Sequence, residues 1–169
     1  MPERQRTIVI NTTPLIALTA ATGDLDVLRF LYDHVLVPDE VAQEIRVGGK
    51  DAFALDVFER ATWLDLIQAP ALLSPYLENS LDRGEAAVIQ SALDRNLDLV
   101  CIDEIQGRRV ARLSGLRLTG SIGILLRAKQ LGFTLSIPDA LAAMRKRGIW
   151  LSEKVIRFAL DQANKTQCH

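Results

Sequence analysis

The segment TIVINTTPLIAL, Thr7–Leu18, already contains a strand, a corner and a helix. Its first four residues, Thr7 to Ile10, are all β-branched, which suits a buried strand. The run stops at Asn11. Thr12, Thr13 and Pro14 then lead into an apolar segment that predicts a helix over 14–20, with proline in its first turn. Strand, polar corner and helix in direct succession are the opening of a βαβ crossover. The corner has two readings. Thr12 or Thr13 accepts from the helix's free N–H groups as a cap, or Asn11 points into a site at the sheet edge.

Working outward, the alternation repeats. Apolar spacing predicts a helix over 24–32 with Asp24 as its cap. VLVP, Val35–Pro38, predicts a short strand running into a helix, with Asp39 and Glu40 favourable in its first turn and Gly48–Gly49 as its break. A helix over about 52–61 precedes the strand-like WLDLIQ, Trp63–Gln68. Residues 81–93 predict an amphipathic helix with Ala86, Ile89 and Leu93 inward and Arg83, Gln90 and Asp94 outward. DLVCID, Asp98–Asp103, is a second apolar strand that ends in an acid. A helix closed by Gly115, a short strand in LRLTG and a helix opened by Ser121 follow, and two C-terminal helices complete the pattern over about 138–163. The expectation is one α/β domain over 1–169, with a mainly parallel sheet and helices on both faces.

Composition narrows the function. The chain has 169 residues, 49% hydrophobic and 24% charged, enough apolar content for the core of one domain. No apolar stretch is long and charge-free enough to span a bilayer, and the charged MPERQRT is not followed by a secretory apolar region, so a cytoplasmic protein without membrane contact is expected. Two cysteines and two histidines have no zinc or thiol-redox spacing, which disfavours zinc and histidine chemistry. Cys101, inside an apolar run, is expected to pack as a small hydrophobe, while Cys168 lies in a polar tail. With a net charge of −1 there is no global basic field, but GRRVARLSGLR and MRKRG concentrate positive charge while PDEVAQE and LDRGE concentrate acids.

In an open parallel sheet, ligands bind beyond the carboxyl ends of the strands. Asn11 and Asp103 follow strands, Glu44 lies on the helix after VLVP, and Glu85 follows Gly84 at the start of the amphipathic helix. If these four converge, their carboxylates repel unless they are protonated or bridged by a cation. An all-oxygen donor set suits Mg²⁺ or Mn²⁺, which could activate water and offset charge developing on a phosphodiester. Each residue alone has a plainer explanation. Glu44 next to Arg46 reads as a solvated acid, Glu85 as a first-turn partner of the helix dipole, and Asp103 as a cap. Glu104 reads as solvated, or as a helper to Asp103.

Taken in order, IVINTTPLIAL, VLVPDEVAQEI, LDRGEAAVIQSAL and DLVCIDEIQGRRVARLSGLRLTGSIGILLRAK resemble the PIN-domain superfamily over about residues 7–129. The similarity is greatest to short prokaryotic PIN-like proteins described only as nucleic-acid binding, and extends to VapC-type toxins. The resemblance implies a three-layer α/β/α sandwich and a metal-dependent ribonuclease. It places the family's acidic positions on Asn11, Glu44, Glu85 and Asp103, with Thr12 and Thr13 as supporting hydroxyls. It also implies Mg²⁺ or Mn²⁺ as cofactor, an RNA substrate and a small antitoxin partner. One departure is visible: the family pattern has aspartate after the first strand, and this chain has Asn11.

The leading expectation is therefore an endoribonuclease of a toxin–antitoxin pair, with Arg108, Arg109 and Arg112 as phosphate contacts. The alternative is a PIN scaffold that binds RNA or a protein partner with little or no cutting. The apolar later helices suggest a homodimer. A phosphatase-type or other α/β hydrolase has no support, since neither a P-loop nor a nucleophile elbow is present.

Overall fold

Parallel pairing organises the whole chain in a computed structural model that describes residues 6–167. Met1–Gln5, Cys168 and His169 lie outside the described residues. Five strands, β1 (Thr7–Ile10), β2 (His34–Val37), β3 (Asp65–Leu66), β4 (Leu99–Cys101) and β5 (Arg117–Thr119), form one sheet in the order β3-β2-β1-β4-β5. All four pairings are parallel, so the expected mainly parallel sheet is parallel throughout. The helices are α1 (Thr12–Thr22), α2 (Asp26–Leu31), α3 (Asp39–Val47), α4 (Ala52–Arg60), α5 (Pro75–Ser80), α6 (Arg83–Asp94), α7 (Ile105–Leu113), α8 (Ser121–Gln130), α9 (Ile137–Lys146) and α10 (Glu153–Gln167). They flank the sheet as a three-layer α/β/α arrangement.

The strand order explains where a ligand would sit. From β1 the chain builds outward to β2 and β3, then returns to the other side of β1 for β4 and β5. The direction of winding therefore reverses between β1 and β4, and crevices in open α/β sheets form at the carboxyl ends of such neighbours. Ile8, Val9 and Ile10 on one side and Val100, Cys101 and Ile102 on the other are fully buried, so the crevice rests on a rigid floor. Cys101 packs as a free buried thiol. Helix α1 is buried along nearly all its length, because it is covered by α9, α4, α8 and α3. This is why its sequence lacks a polar stripe.

Two local expectations are corrected, and one helix was not expected. The strand in WLDLIQ is only Asp65–Leu66, and both residues are exposed at the sheet edge. Leu93 is 40% exposed, because the buried face of α6 is centred on Ala86, Ile89 and Ala92. A short helix, α5, opens at Ser74, whose side chain accepts from the Leu77 N–H, followed by Pro75 at N1.

Candidate metal centre

The corner after β1 assigns its three polar residues without a cap. Asn11 stands at the N-cap position of α1 in an extended conformation, but its side chain accepts no helix N–H. Its backbone N–H instead donates to the Cys101 carbonyl at 3.0 Å, which ties β1 to β4 at the crevice. Nor do the two hydroxyls cap. Thr12 Oγ1 donates to Glu44 Oε2 and Thr13 Oγ1 to Glu104 Oε1, each at 2.9 Å. Both hydroxyls hold acids that come from elsewhere in the chain.

Helix α6 supplies the middle of the site. Asp82 is its N-cap and accepts from the Glu85 N–H at 2.9 Å. Gly84 packs against Asn11 and Glu44: a Cβ there would collide with Glu44 Oε1 and lie 3.4 Å from Asn11 Oδ1. The amide of Asn11 and the carboxylate of Glu44 thus flank the same missing methyl group. Glu85 is only 4% exposed, and its Oε1 has no hydrogen-bond partner among the described residues. Gly107 on α7 makes room for it, since a Cβ there would lie 2.8 Å from Glu85 Oε1. Asp82, Glu85 and Glu104 each offer an oxygen, and these oxygens lie within 4.8 Å of one another.

Asp103 occupies the end of β4. The backbone N–H and the hydroxyl of Ser121, at the start of α8, donate to its two oxygens at 2.7 and 2.8 Å. Asp103 therefore serves the N-terminus of α8 and not that of α7, whose N-cap position is Glu104. Arg108 Nη1 donates to the Ile102 carbonyl at 2.8 Å and stands beside Gly120, as does Asp103 Oδ1. Arg108 is half-buried by this contact, while Arg109 and Arg112 on α7 are exposed.

Electrostatics follow from this crowding. Burial first, and then the nearby Glu104 and Asp82, together raise Glu85 to about 8, because carboxylates this close share a proton or repel. Burial also raises Glu44, against the Thr12 hydrogen bond, with Asp82 and Glu104 adding to the rise. Asp103 is raised by burial, opposed by both Ser121 donors and by Arg108. A buried carboxylate oxygen without a donor is rare in a native fold, and oxygens clustered at this range suit a hard divalent cation. The residues present fit such an ion.

The sequence-expected residues thus fall into linked groups: Asn11 with Glu44 at Gly84, Glu85 with Asp82 and Glu104, and Asp103 beside Ser121. Asp82 and Glu104 were not among the expected ligands. The signal for Asp82 was the D-x-x-E spacing to Glu85, which marks a helix start. Glu104 had only its adjacency to Asp103.

A family model described as a PIN domain matches residues 7–165. The chain belongs to the PIN-domain family. No curated protein matches it. The PIN fold is nuclease-like and generally associated with nucleic acid and divalent metal, and the acidic group of this PIN domain could hold a metal. A cleft of about 380 Å³ opens on Glu44, lined also by Thr12, Thr13, Ile16, Val47 and Asp51. Among the described residues of this PIN domain no helix is long and apolar enough to cross a membrane.

Proposed function

We propose that this PIN domain is a metal-dependent endoribonuclease. The observation that carries the reading is Glu85, buried with an unpartnered oxygen between Asp82 and Glu104 at the sheet's switch point. Glu44, Glu85 and Asp103 would hold Mg²⁺ or Mn²⁺ together with Asn11, and Asp82 and Glu104 join this set. When bound, the ion would supply an activated water and offset negative charge on the phosphodiester. Thr12 and Thr13 keep Glu44 and Glu104 turned toward the site, and Ser121 orients Asp103. Exposed Arg109 and Arg112 would meet RNA phosphates, while Arg108 fixes the turn after β4 through Ile102.

The reading extends to a toxin-type protein held by a small antitoxin, and to a homodimer in which the exposed Trp150 and Phe158 near the later helices are covered. One observation favours a second reading, a PIN scaffold that binds RNA with little cutting. Asn11 contributes a neutral oxygen where the family pattern carries a charge. The two readings separate in one experiment, incubation of a structured RNA with the protein in Mn²⁺, in Mg²⁺ and in chelator. Cleavage that requires the ion and is lost in Asp103→Asn and Glu85→Gln supports the nuclease. Metal and RNA binding without cleavage supports the second reading.

A further inference from the structure

The turn between α9 and α10 carries RKRGIW, Arg145–Trp150, three cations in a row followed by an aromatic side chain. A glycine builds this corner. Gly148 has a φ of 86°, and its N–H donates to the Arg145 carbonyl while that of Ile149 donates to the Met144 carbonyl, each at 3.0 Å. These bonds close α9 as a Schellman turn, and Ile149 packs against the core behind it. The chain thereby doubles back against the last turn of α9, and Trp150 leaves it one residue later, 83% exposed. Ser152 then opens α10, its hydroxyl accepting from the Val155 N–H at 3.1 Å. The indole is thus held in water by an ordered turn, next to the exposed Arg145 and Lys146.

The corner adjoins the acidic cleft. Arg147 lies over the Phe53 ring, 4.5 Å from its centre. Phe53 stands in the first turn of α4, just after Asp51, and Asp51 lines the cleft that opens on Glu44.

The charges here do not cancel. From Arg145 to Arg157 five cations, Arg145, Lys146, Arg147, Lys154 and Arg157, stand against Glu153 alone. The carboxyl end of α9 and the amino end of α10 meet at the corner, so their opposite half-charges offset each other. Helix α1, which packs along α9, contributes no charged residue. On α4, Asp56 and Glu59 are paired with Arg60 and Arg46, and Asp139 lies at the far end of α9. With Asp51 and Asp161 also counted against the five cations, a surplus of two positive charges remains.

We propose that the corner between α9 and α10 is a docking surface for single-stranded RNA, in which Trp150 stacks on a base while Arg145 and Lys146 meet the flanking phosphates. Surplus positive charge draws phosphates whatever the sequence, and an aromatic face among cations is the arrangement that holds unpaired bases. A duplex offers no such base, because its bases stack on one another. Arg147, held by Phe53, joins the corner to the rim of the cleft, so a strand bound here is led toward Glu44. The proposal rests on the reading of this PIN domain as acting on RNA, and a homodimer that covers Trp150 would compete with RNA for it.

Fluorescence anisotropy of the full chain with a short labelled oligouridine, in chelator so that binding is read without cleavage, tests the proposal. Trp150→Ala should weaken binding about tenfold, with Trp150→Phe weakening it less. Arg145→Ala with Lys146→Ala should lower the log–log salt slope by about 1.4, at roughly 0.7 per phosphate. In a Trp63→Phe background, where Trp150 is the one remaining indole, RNA should quench its emission. All three substituted side chains of the corner are exposed, so these variants fold, which an unchanged thermal midpoint verifies. Affinity and slope unchanged in these variants overturn the proposal, and Mn²⁺-dependent cleavage persisting in them leaves the nuclease reading standing. RNA binding that depends on the corner, without any cleavage by the parent, keeps the docking surface and removes the nuclease. Trp150 emission that responds to anionic lipid vesicles and not to RNA overturns the proposal, as does a homodimer that Trp150→Ala dissociates with no change in RNA binding.

Discussion

Raising the pH of the metal-free protein should destabilise it. Glu85 has a folded value of about 8 against 4.5 for the free side chain. Between those values the folded state retains a proton that the unfolded chain has released, so stability is greatest near the lower value and falls as pH rises toward the upper one. Integrating over pH 5 to 8, at about 1.4 kcal/mol per pKa unit, gives a loss on the order of 3 kcal/mol from this one carboxyl. Glu44 and Asp103 are also raised, so they add to the loss with the same sign. For a chain of this length the expected drop in Tm is about 6–12 °C, at roughly 2–4 °C per kcal/mol. Differential scanning fluorimetry in chelator across this range measures it. Glu85→Gln, which cannot ionise, should remove most of the slope and exceed the parent in Tm at pH 8. Millimolar Mn²⁺ should restore the parent at pH 8, because a cation that binds only the folded state adds stability by mass action. A flat profile for the parent in chelator, or an equal drop in Glu85→Gln, shows that Glu85 is not the buried, crowded acid described above.

Gly84→Ala should lower Mn²⁺ affinity about tenfold in calorimetry while moving Tm by only a few degrees, because the added methyl meets the flexible end of Glu44. Unchanged affinity would remove Glu44 from the site. Asn11→Asp should tighten Mn²⁺ binding and lower the Tm of the metal-free protein, since a further carboxylate joins those of Glu44 and Glu85; equal affinity makes Asn11 a purely structural residue. Arg109→Ala with Arg112→Ala should weaken RNA binding and reduce its log–log salt slope by about 1.4, at roughly 0.7 per phosphate on a single strand. Arg108→Ala should act mainly on Tm through the lost bond to Ile102, and an unchanged slope in the double variant moves the phosphate contacts to Arg145, Lys146 and Arg147.

The legible parts of the chain were those where one local rule suffices. β1 and β4 are apolar runs buried on both faces, so their composition alone marks them. β3 has two exposed residues at an edge and offers almost no such signal. In α6 the burial of Gly84 to Ile89 as a block reflects neighbours on several sides, and periodicity misplaced Leu93 accordingly. The same limit governs the site. Asn11 and Asp103 could be named because they follow strands, Glu85 because it opens α6, and Glu44 because it lies on the helix after β2 in the order of the PIN pattern. Asp82 and Glu104 become candidate ligands only through convergence in three dimensions, and the partner of Asp103 is Ser121, which no spacing rule connects to it.

Three glycines give the strongest sequence trace of that convergence. Gly84, Gly107 and Gly120 all lack the positive φ that would demand glycine, yet a Cβ at each would press on an acid of the site: Glu44, Glu85 and Asp103 in turn. Two of them lie in the first turns of α6 and α7, where alanine is the better helix former. A surface salt bridge would not need such a concession, because long side chains reach across a gap. Carboxylates drawn together without basic partners do need it, since the backbone must come close for their oxygens to share one small volume. The glycines and the raised carboxyls therefore go together: both follow from acids held close by the backbone, in a group of which Asp82, Glu85 and Glu104 could hold a metal.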